Sequence, residues 1–428
     1  MTLPTATTAE AVLEHIGPGT DLIVPIANGE PVALLDAIER HAQGDDERLR
    51  DVRVHQMHVL RDRPYLHGAY GDRLKHVSYF LSHVTRPCFA QGTVELVPNH
   101  FSEVYPLLRE RCRDPLVIAA VSPPDRHGYM SLGTGADYAA SFIGRARFFV
   151  EANAQMPRTF GRNQLHLSQV VGWTHGNSAL IEVPPAEPSE LDRRIAAHVA
   201  ARIGHGSTVQ TGIGAIPNAI LSALKDHRQL GIHTELLSDG VISLIESGAV
   251  TGARKRLNRT KTIGAFALGT RRLYDFIADN PAVEFWPATY VNDPRRIGTE
   301  PNFVSVNATV EIDLLGQCAS ETIGGRYWSS SGGQADFARG AMYSEGGQAF
   351  IVCRSTTDDG SVSKIVSGFK PGTVVTTLKN TVDKVVTEWG VAELRGRSIR
   401  ERAAALISIA HPDHRDRLRH DARKLAYL

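Results

Sequence analysis

Cysteine is scarce: Cys88, Cys112, Cys318 and Cys353 lie far apart in a chain of 428 residues, too sparse for a disulfide scaffold and without CxxC or Cys/His zinc spacing. A reduced, cytoplasmic setting and no resident metal are the expectations. Long apolar runs are missing too; nowhere do about 18 apolar residues follow one another, and the opening MTLPTATTAEAVLEHIGPG has no basic segment leading into an apolar one. Neither a membrane span nor a secretory leader is read. Net charge is nearly absent, 47 Lys and Arg against 46 Asp and Glu, so nucleic acid and membrane surfaces are not expected partners, although local basic pockets are compatible with that balance. There is no Walker A motif, GxSxG elbow or HExxH pair, which removes support from P-loop, serine-hydrolase and zinc-hydrolase chemistry.

What is present is an alternation of short apolar strands and amphipathic helices. The length exceeds the ~250–300 residues at which one core stops growing, so two domains are expected. Leu22 to Ile26, Val52 to Val59, Val77 to Leu81, Cys88 to Val97 and Arg147 to Val150 read as strands, and Pro31 opens a helix. DPLVIAAV, Asp114 to Val121, is apolar throughout, as a parallel strand covered on both faces must be. His55 and His58 are three apart, a metal-binding spacing only on a helix, so in a strand they read as structural. VPPAEPSE, Val183 to Glu190, carries three prolines before a new helix, LDRRIAAHVAARI, and sets the expected boundary: an N-terminal α/β domain over 1–187 and a C-terminal one over 188–428. Two open α/β domains, with the active site in the cleft between them, are the expected architecture. Farther on, Phe303 to Asn307 and Val310 to Leu315 read as paired strands, and the helix Ile399 to Ile407 closes the fold.

The most informative stretch is Ser207 to Gly248. Ser207 to Gln210 forms a strand, Gly212 and Gly214 permit a tight turn, and Pro217 suits the first turn of the helix that follows. Backbone amides beside a helix amino end hold negative charge, whether phosphate or oxyanion. The next strand, Leu230 to Glu235, ends in a carboxylate where open α/β sheets keep their ligand crevice. A capping or ion-paired role for Glu235 fits the spacing equally well. GIGAIP followed about 20 residues later by Glu235 also resembles a dinucleotide fingerprint; the absent third glycine and the mid-chain position count against a nicotinamide enzyme. SGGQ, Ser331 to Gln334, offers a second set of glycine amides, and Lys364 is a cation of either phosphate-binding or solvated kind.

Several ordered segments together carry a family resemblance: TGIGAIPNA, HTELLSDGVISLIESGAVTGARK, GTRRLYDF, NFVSVNATVEIDLLGQCASETIGG, SGGQADFARGA, VVTEWGVAELRG and, earlier, VSPPDRHGYMSLG. They resemble the acetyl-CoA hydrolase/transferase family, class I CoA-transferases, and within it the 4-hydroxybutyrate CoA-transferase type. The resemblance is dense from about Gly204 to Pro412 and looser before it. It implies a glutamate nucleophile, Glu235 of HTELLSDG, with Glu246 of LIESG as the lower-ranked alternative. It further implies that Gly212, Ile213, Gly214, Ala215 and Ile216 bind CoA and help form an oxyanion hole, that Gly333 adds a backbone amide, and that Lys364 contacts CoA. Trp389 stands where the family pattern has Tyr, which bears on local packing or acyl shape. The implied activity is acyl-CoA:carboxylate CoA transfer on short-chain acids through a glutamyl-CoA thioester, with acyl-CoA hydrolysis or a non-catalytic acyl-CoA or nucleotide sensor as alternatives. CoA and acyl-CoA enter as substrates rather than as a permanently bound cofactor, and a homodimer is expected.

Overall fold

A computed structural model of the chain describes residues 3–44 and 46–428. The chain divides into two compact units, one running to Val183 and taking in Ile263–Val291, the other made of Pro184–Thr262 and Asn292–Leu428.

In the first unit seven strands lie side by side in the order Gly172–Gly176, Arg147–Asn153, Leu116–Val121, Asp21–Ile23, Val52–Gln56, Leu74–Ser78 and Val94–Leu96, every neighbouring pair parallel. All six residues of Leu116–Val121 are buried, as its unbroken apolar run requires. The later stretch of this unit is tied to the earlier one by backbone bonds, Ala136 N–H to Ala265 O (2.8 Å) and Ala267 N–H to Thr134 O (2.7 Å), and by the parallel pairing of Val283–Phe285 with Phe160–Gly161. Asn28 Nδ2 donates to Tyr274 OH at 2.9 Å across the same join. No local pattern in the sequence announces this return of the chain, because the partners are more than a hundred residues apart.

The second unit is built on the order Gly390–Glu393, Lys384–Thr387, Gln348–Val352, Phe303–Ala308, Thr208–Thr211 and Gly231–Leu237, parallel except for the first pair, a hairpin. Its opening helix, Glu190–Ala200, starts with a capping box in which Ser189 and Asp192 satisfy each other's backbone amides.

Three expectations from the sequence change. Cys88 to Val97 is not one strand: Thr85–Gln91 is helical and only Val94–Leu96 is extended, with Gly92 in the left-handed conformation that ends the helix. Phe303–Ala308 and Glu311–Asp313 do not pair with each other; the former lies between Thr208–Thr211 and Gln348–Val352, the latter between Cys318–Ala319 and Ile365–Val366. Ile399–Ser408 is not the last element either, since Pro412 opens a further helix, Pro412–Lys424, whose Leu418 and Ala422 join the core containing Leu406 and Ile407. Its few apolar positions among charged residues hid it. Among the described residues no helix is long and apolar enough to cross a membrane.

Candidate active site

Glu235 sits in the strand Gly231–Leu237, two residues before its end, and is largely buried between Thr234 and Leu236. Alternation along a strand puts His233 and Glu235 on one face. On that face His233 meets the edge of Phe303, and Phe303 stacks on Phe337 of the helix Gln334–Tyr343. The packing that buries these rings therefore brings the amino end of the helix, Gly333, to the carboxylate. Gly333 approaches so closely that a Cβ on it would collide with Glu235 Oε2 and with Asn292 Nδ2. Its φ of −98° is open to any residue, so the requirement for glycine comes from the carboxylate beside it.

Asn292 completes the cluster. Its Nδ2 donates to Glu235 Oε2 at 2.7 Å, while its own Oδ1 is buried without a hydrogen-bond partner among the described residues. Burial raises the Glu235 pKa to about 7 and the Asn292 bond opposes that rise. An ordinary Glu is fully ionised near neutrality, whereas this carboxylate holds its proton to distinctly higher pH. A carboxylate with a fixed donor, held against a helix amino end and poised to titrate near neutral pH, is equipped for nucleophilic or acid–base chemistry.

The glycine turn lies one strand away. Thr208 and Val209 pair with Gly231 and Ile232, and Thr234 Oγ1 donates to Thr211 O at 3.0 Å, so the same register brings Gly212 level with Glu235. Gly214, with φ +120° and ψ 179°, is the N-cap of the helix Ala215–Ala223; Ile213 is exposed, and Gly212, Ala215 and Ile216 are part-buried. The strand–turn–helix read from the sequence is present, though only Gly214 of the two glycines takes positive φ.

Glu246 is the exposed last residue of the helix Asp239–Glu246, and the contacts described around Glu235 do not include it. Lys364 precedes the strand Ile365–Val366, with its backbone bonded to Ser355 and Ile312. Its charge acts on Cys353, whose thiol burial pushes up to about 12. Among the described residues no hydrogen bond or ion pair engages the Lys364 ammonium. Trp389 donates its indole N–H to Ser355 Oγ at 3.2 Å and lies between the guanidinium groups of Arg194 and Arg415. His55, read as structural, is buried and bonds Asp21 and Tyr79; with Asp21 and Cys112 it forms a group of three donors within 4.8 Å of one another. Ligand spacing along the chain misses that group because two strands and a helix end bring it together. Sequence reasoning also missed Asn292, which stands in the segment YVNDP, Tyr290 to Pro294. Its sole sequence signal is an Asn before Asp293-Pro294, which a capping turn explains equally well.

Comparison with known proteins places this geometry in context. Residues 5–182 match the acetyl-CoA hydrolase/transferase N-terminal domain and residues 269–422 the corresponding C-terminal domain. A succinyl-CoA:cyclohexane-1-carboxylate CoA transferase of Geobacter metallireducens is 43% identical over 412 residues, 95% of this chain and 92% of its own. The 4-hydroxybutyrate coenzyme A transferase of Clostridium kluyveri is 38% identical over 420 residues, 97% of each chain. Among solved structures, RipA from Yersinia pestis matches with a TM-score of 0.92 at 37% identity, covering 99% of this chain and 98% of its own. With identity at this level along nearly the whole length, the chain belongs to the acetyl-CoA hydrolase/transferase family, as an enzyme of the CoA-transferase type.

Proposed function

We propose that the protein moves CoA from an acyl-CoA to a short-chain carboxylate in a ping-pong reaction through a thioester on Glu235. The observation that carries this reading is the contact of the Glu235 carboxylate with Gly333 and Asn292, which leaves no room for any other residue at position 333. In the reaction the ionised Glu235 oxygen adds to the thioester carbonyl and the C–S bond breaks, giving a mixed anhydride and CoA thiolate. The thiolate then adds to the glutamyl carbonyl of the anhydride, the acid leaves as its carboxylate, and glutamyl-CoA remains. An acceptor carboxylate runs the two steps in reverse. One thioester is exchanged for another, so no redox partner or resident cofactor is consumed.

Each addition places charge on a carbonyl oxygen, and amides at Gly333 and in the Gly212–Ile216 turn are the donors we assign to it. Asn292 fixes the orientation of the nucleophile and favours its charged form. Lys364, with an ammonium unengaged by the fold, is the residue we assign to the anionic part of CoA. Four free, buried cysteines accord with a reducing, cytoplasmic setting, and a homodimer is the assembly we expect.

The test is to incubate the protein with acetyl-CoA, trap with borohydride and locate the modification by mass spectrometry. Reduction at Glu235, together with discharge of the unreduced adduct by an added acid, is the expected result. Discharge by water alone would make the protein a hydrolase on the same scaffold. Absence of any adduct with a panel of short acyl-CoAs would overturn the mechanism.

A further inference from the structure

The charges of the chain nearly cancel, yet on the first unit arginines crowd two neighbouring cavities. One, of about 360 Å³, is lined by Arg53, Arg111, Arg113 and Arg147; the other, of about 380 Å³, by Arg109, Arg145 and again Arg113. Among the described residues, only two carboxylates, Asp21 and Asp114, line either cavity. The cluster lies where the parallel strands begin, since Asp21 and Arg147 are the first residues of their strands and Arg53 the second of its own. In open α/β sheets the ligand crevice is at the opposite, carboxyl edge, so a crowd of like charges here is not explained by the sheet's usual site.

Structural roles account for part of it. Arg109 and Arg111 occupy the last turn of the helix Val104–Arg111, where cations meet the helix dipole. Arg147 pairs with Asp114 at 3.0 Å, Arg145 donates to Tyr105 OH at 2.8 Å, and Arg111 reaches Glu95 at 3.4 Å. What is left over is the positive excess. Arg109 and Arg113 make no ion pair or hydrogen bond among the described residues, and Arg113 is exposed on the wall the two cavities share. Among the described residues the Nε–H groups of Arg53 and Arg147 are buried without a hydrogen-bond acceptor; Arg53 Nε is ion-paired with Asp21 Oδ1 at 2.9 Å but in a direction that makes no hydrogen bond. Like charges gathered with too few counter-charges repel one another, a cost that an arriving anion removes. The same field opposes a cation at the group of Asp21, His55 and Cys112, of which Asp21 lines one cavity and Cys112 the other.

We propose that this arginine basin binds a small polyanion carrying a diphosphate group. Guanidinium forks match phosphate oxygens two at a time, cavities of this size suit a compact ligand, and Arg113 is placed to contact a group in either one. Inorganic pyrophosphate and the diphosphate of a nucleotide share this chemistry. The proposal does not depend on the reaction assigned to Glu235.

The test is calorimetric titration of the full chain with inorganic pyrophosphate, orthophosphate and ADP at low ionic strength, where arginine–phosphate contacts are least screened. Pyrophosphate should bind, and Arg113→Glu should weaken it about tenfold or more, as loss of a charge-assisted contact does. Arg417→Glu, at an exposed position of the second unit, should leave the affinity unchanged. ADP binding as tightly as pyrophosphate assigns the site to a nucleotide, and much weaker ADP binding assigns it to the free ion; either supports the proposal. No binding of pyrophosphate, equal binding of orthophosphate, or an affinity untouched by Arg113→Glu would overturn it. Circular dichroism of the variant guards against misfolding, and Arg113→Ala provides a milder second variant whose weakening must point the same way.

Discussion

The two glycine-bearing loops of the second unit look alike in sequence and are constrained in opposite ways. Gly333 has an ordinary backbone conformation and no space, because Glu235 and Asn292 occupy the place of a side chain. Gly214 has space, its nearest foreign atom 3.9 Å from a would-be Cβ, but its φ of +120° excludes other residues. Gly212 has neither restriction: φ is not positive and nothing lies within 4 Å. The loop at Gly333 is therefore finished, packed against the Glu235 carboxylate. The turn at Gly212 is open, and if glycine is needed there, the need comes from something that binds.

The sharpest way to test the finished half is to alter the carboxylate itself. Glu235→Gln keeps the size of the side chain and an oxygen to accept from Asn292, but loses the proposed nucleophile, and turnover should fall about 10⁴-fold or more, as when a covalent nucleophile is removed. The same substitution should stabilise the fold near neutral pH. A carboxyl whose pKa rises from 4.5 to about 7 on folding binds its proton more tightly in the native state than in the unfolded chain. Its contribution is thus fully present below about pH 4.5 and is lost as the pH rises through about 7. Urea denaturation between pH 4.5 and pH 8 should show wild-type stability declining relative to Glu235→Gln, by about 1–3 kcal/mol at the upper end. Parallel curves would mean that Glu235 is not held in the environment described. In the wild type the acid limb of the kcat/KM profile should centre near pH 7, since the proposed reaction uses the ionised form as its nucleophile.

Gly333→Ala should come next. The added methyl must displace Glu235 or Asn292, and a loss of about 10²–10³-fold in kcat with little change in fold is expected, the magnitude of a lost oxyanion donor or misplaced nucleophile. Asn292→Ala should be milder, about 10-fold at neutral pH, the size of a lost hydrogen bond to a charged group. Its distinguishing mark is direction: removing the bond that opposes the effect of burial moves the acid limb to higher pH. An unshifted limb with reduced kcat would assign Asn292 to the acyl oxygen rather than to the nucleophile.

How far these constraints were legible in the sequence differs between the loops in the same sense. The strand–turn–helix at Thr208–Ala223 could be read because every element is local: strand formers, glycines and a proline in the first helical turn lie within about sixteen residues. The strand carrying Glu235 followed from the same periodicity, although it runs two residues beyond the carboxylate, to Leu237, rather than ending there. The contact of Gly333 with Glu235 could not be read from spacing, since the two are 98 positions apart and the contact is made by packing of Phe303 on Phe337; the family resemblance alone pointed there. Asn292 left no signal of either kind, because a buried amide donor and a capping residue look the same in a sequence. Nor could charge totals reveal the arginine basin, which depends on where strand starts and a helix end converge.

The smallest expected effect divides the open turn in two. Gly214→Ala meets no neighbour but forces a side chain into a conformation L residues rarely adopt, so it should lower stability by about 1 kcal/mol or somewhat more, with or without substrate. Gly212→Ala should leave the unliganded protein as stable as before, because its methyl points into open space at a permitted φ. If CoA or the thioester oxygen approaches that backbone, the methyl will be felt only once substrate is bound. The expected outcome is a few-fold rise in KM for acyl-CoA with unchanged thermal stability of the free protein, measured side by side with Gly214→Ala. Equal KM values for wild type and Gly212→Ala would break the contrast between the loops, since both would then be glycine-bearing for reasons internal to the fold. The burden of stabilising the oxyanion would then fall on Gly333 alone.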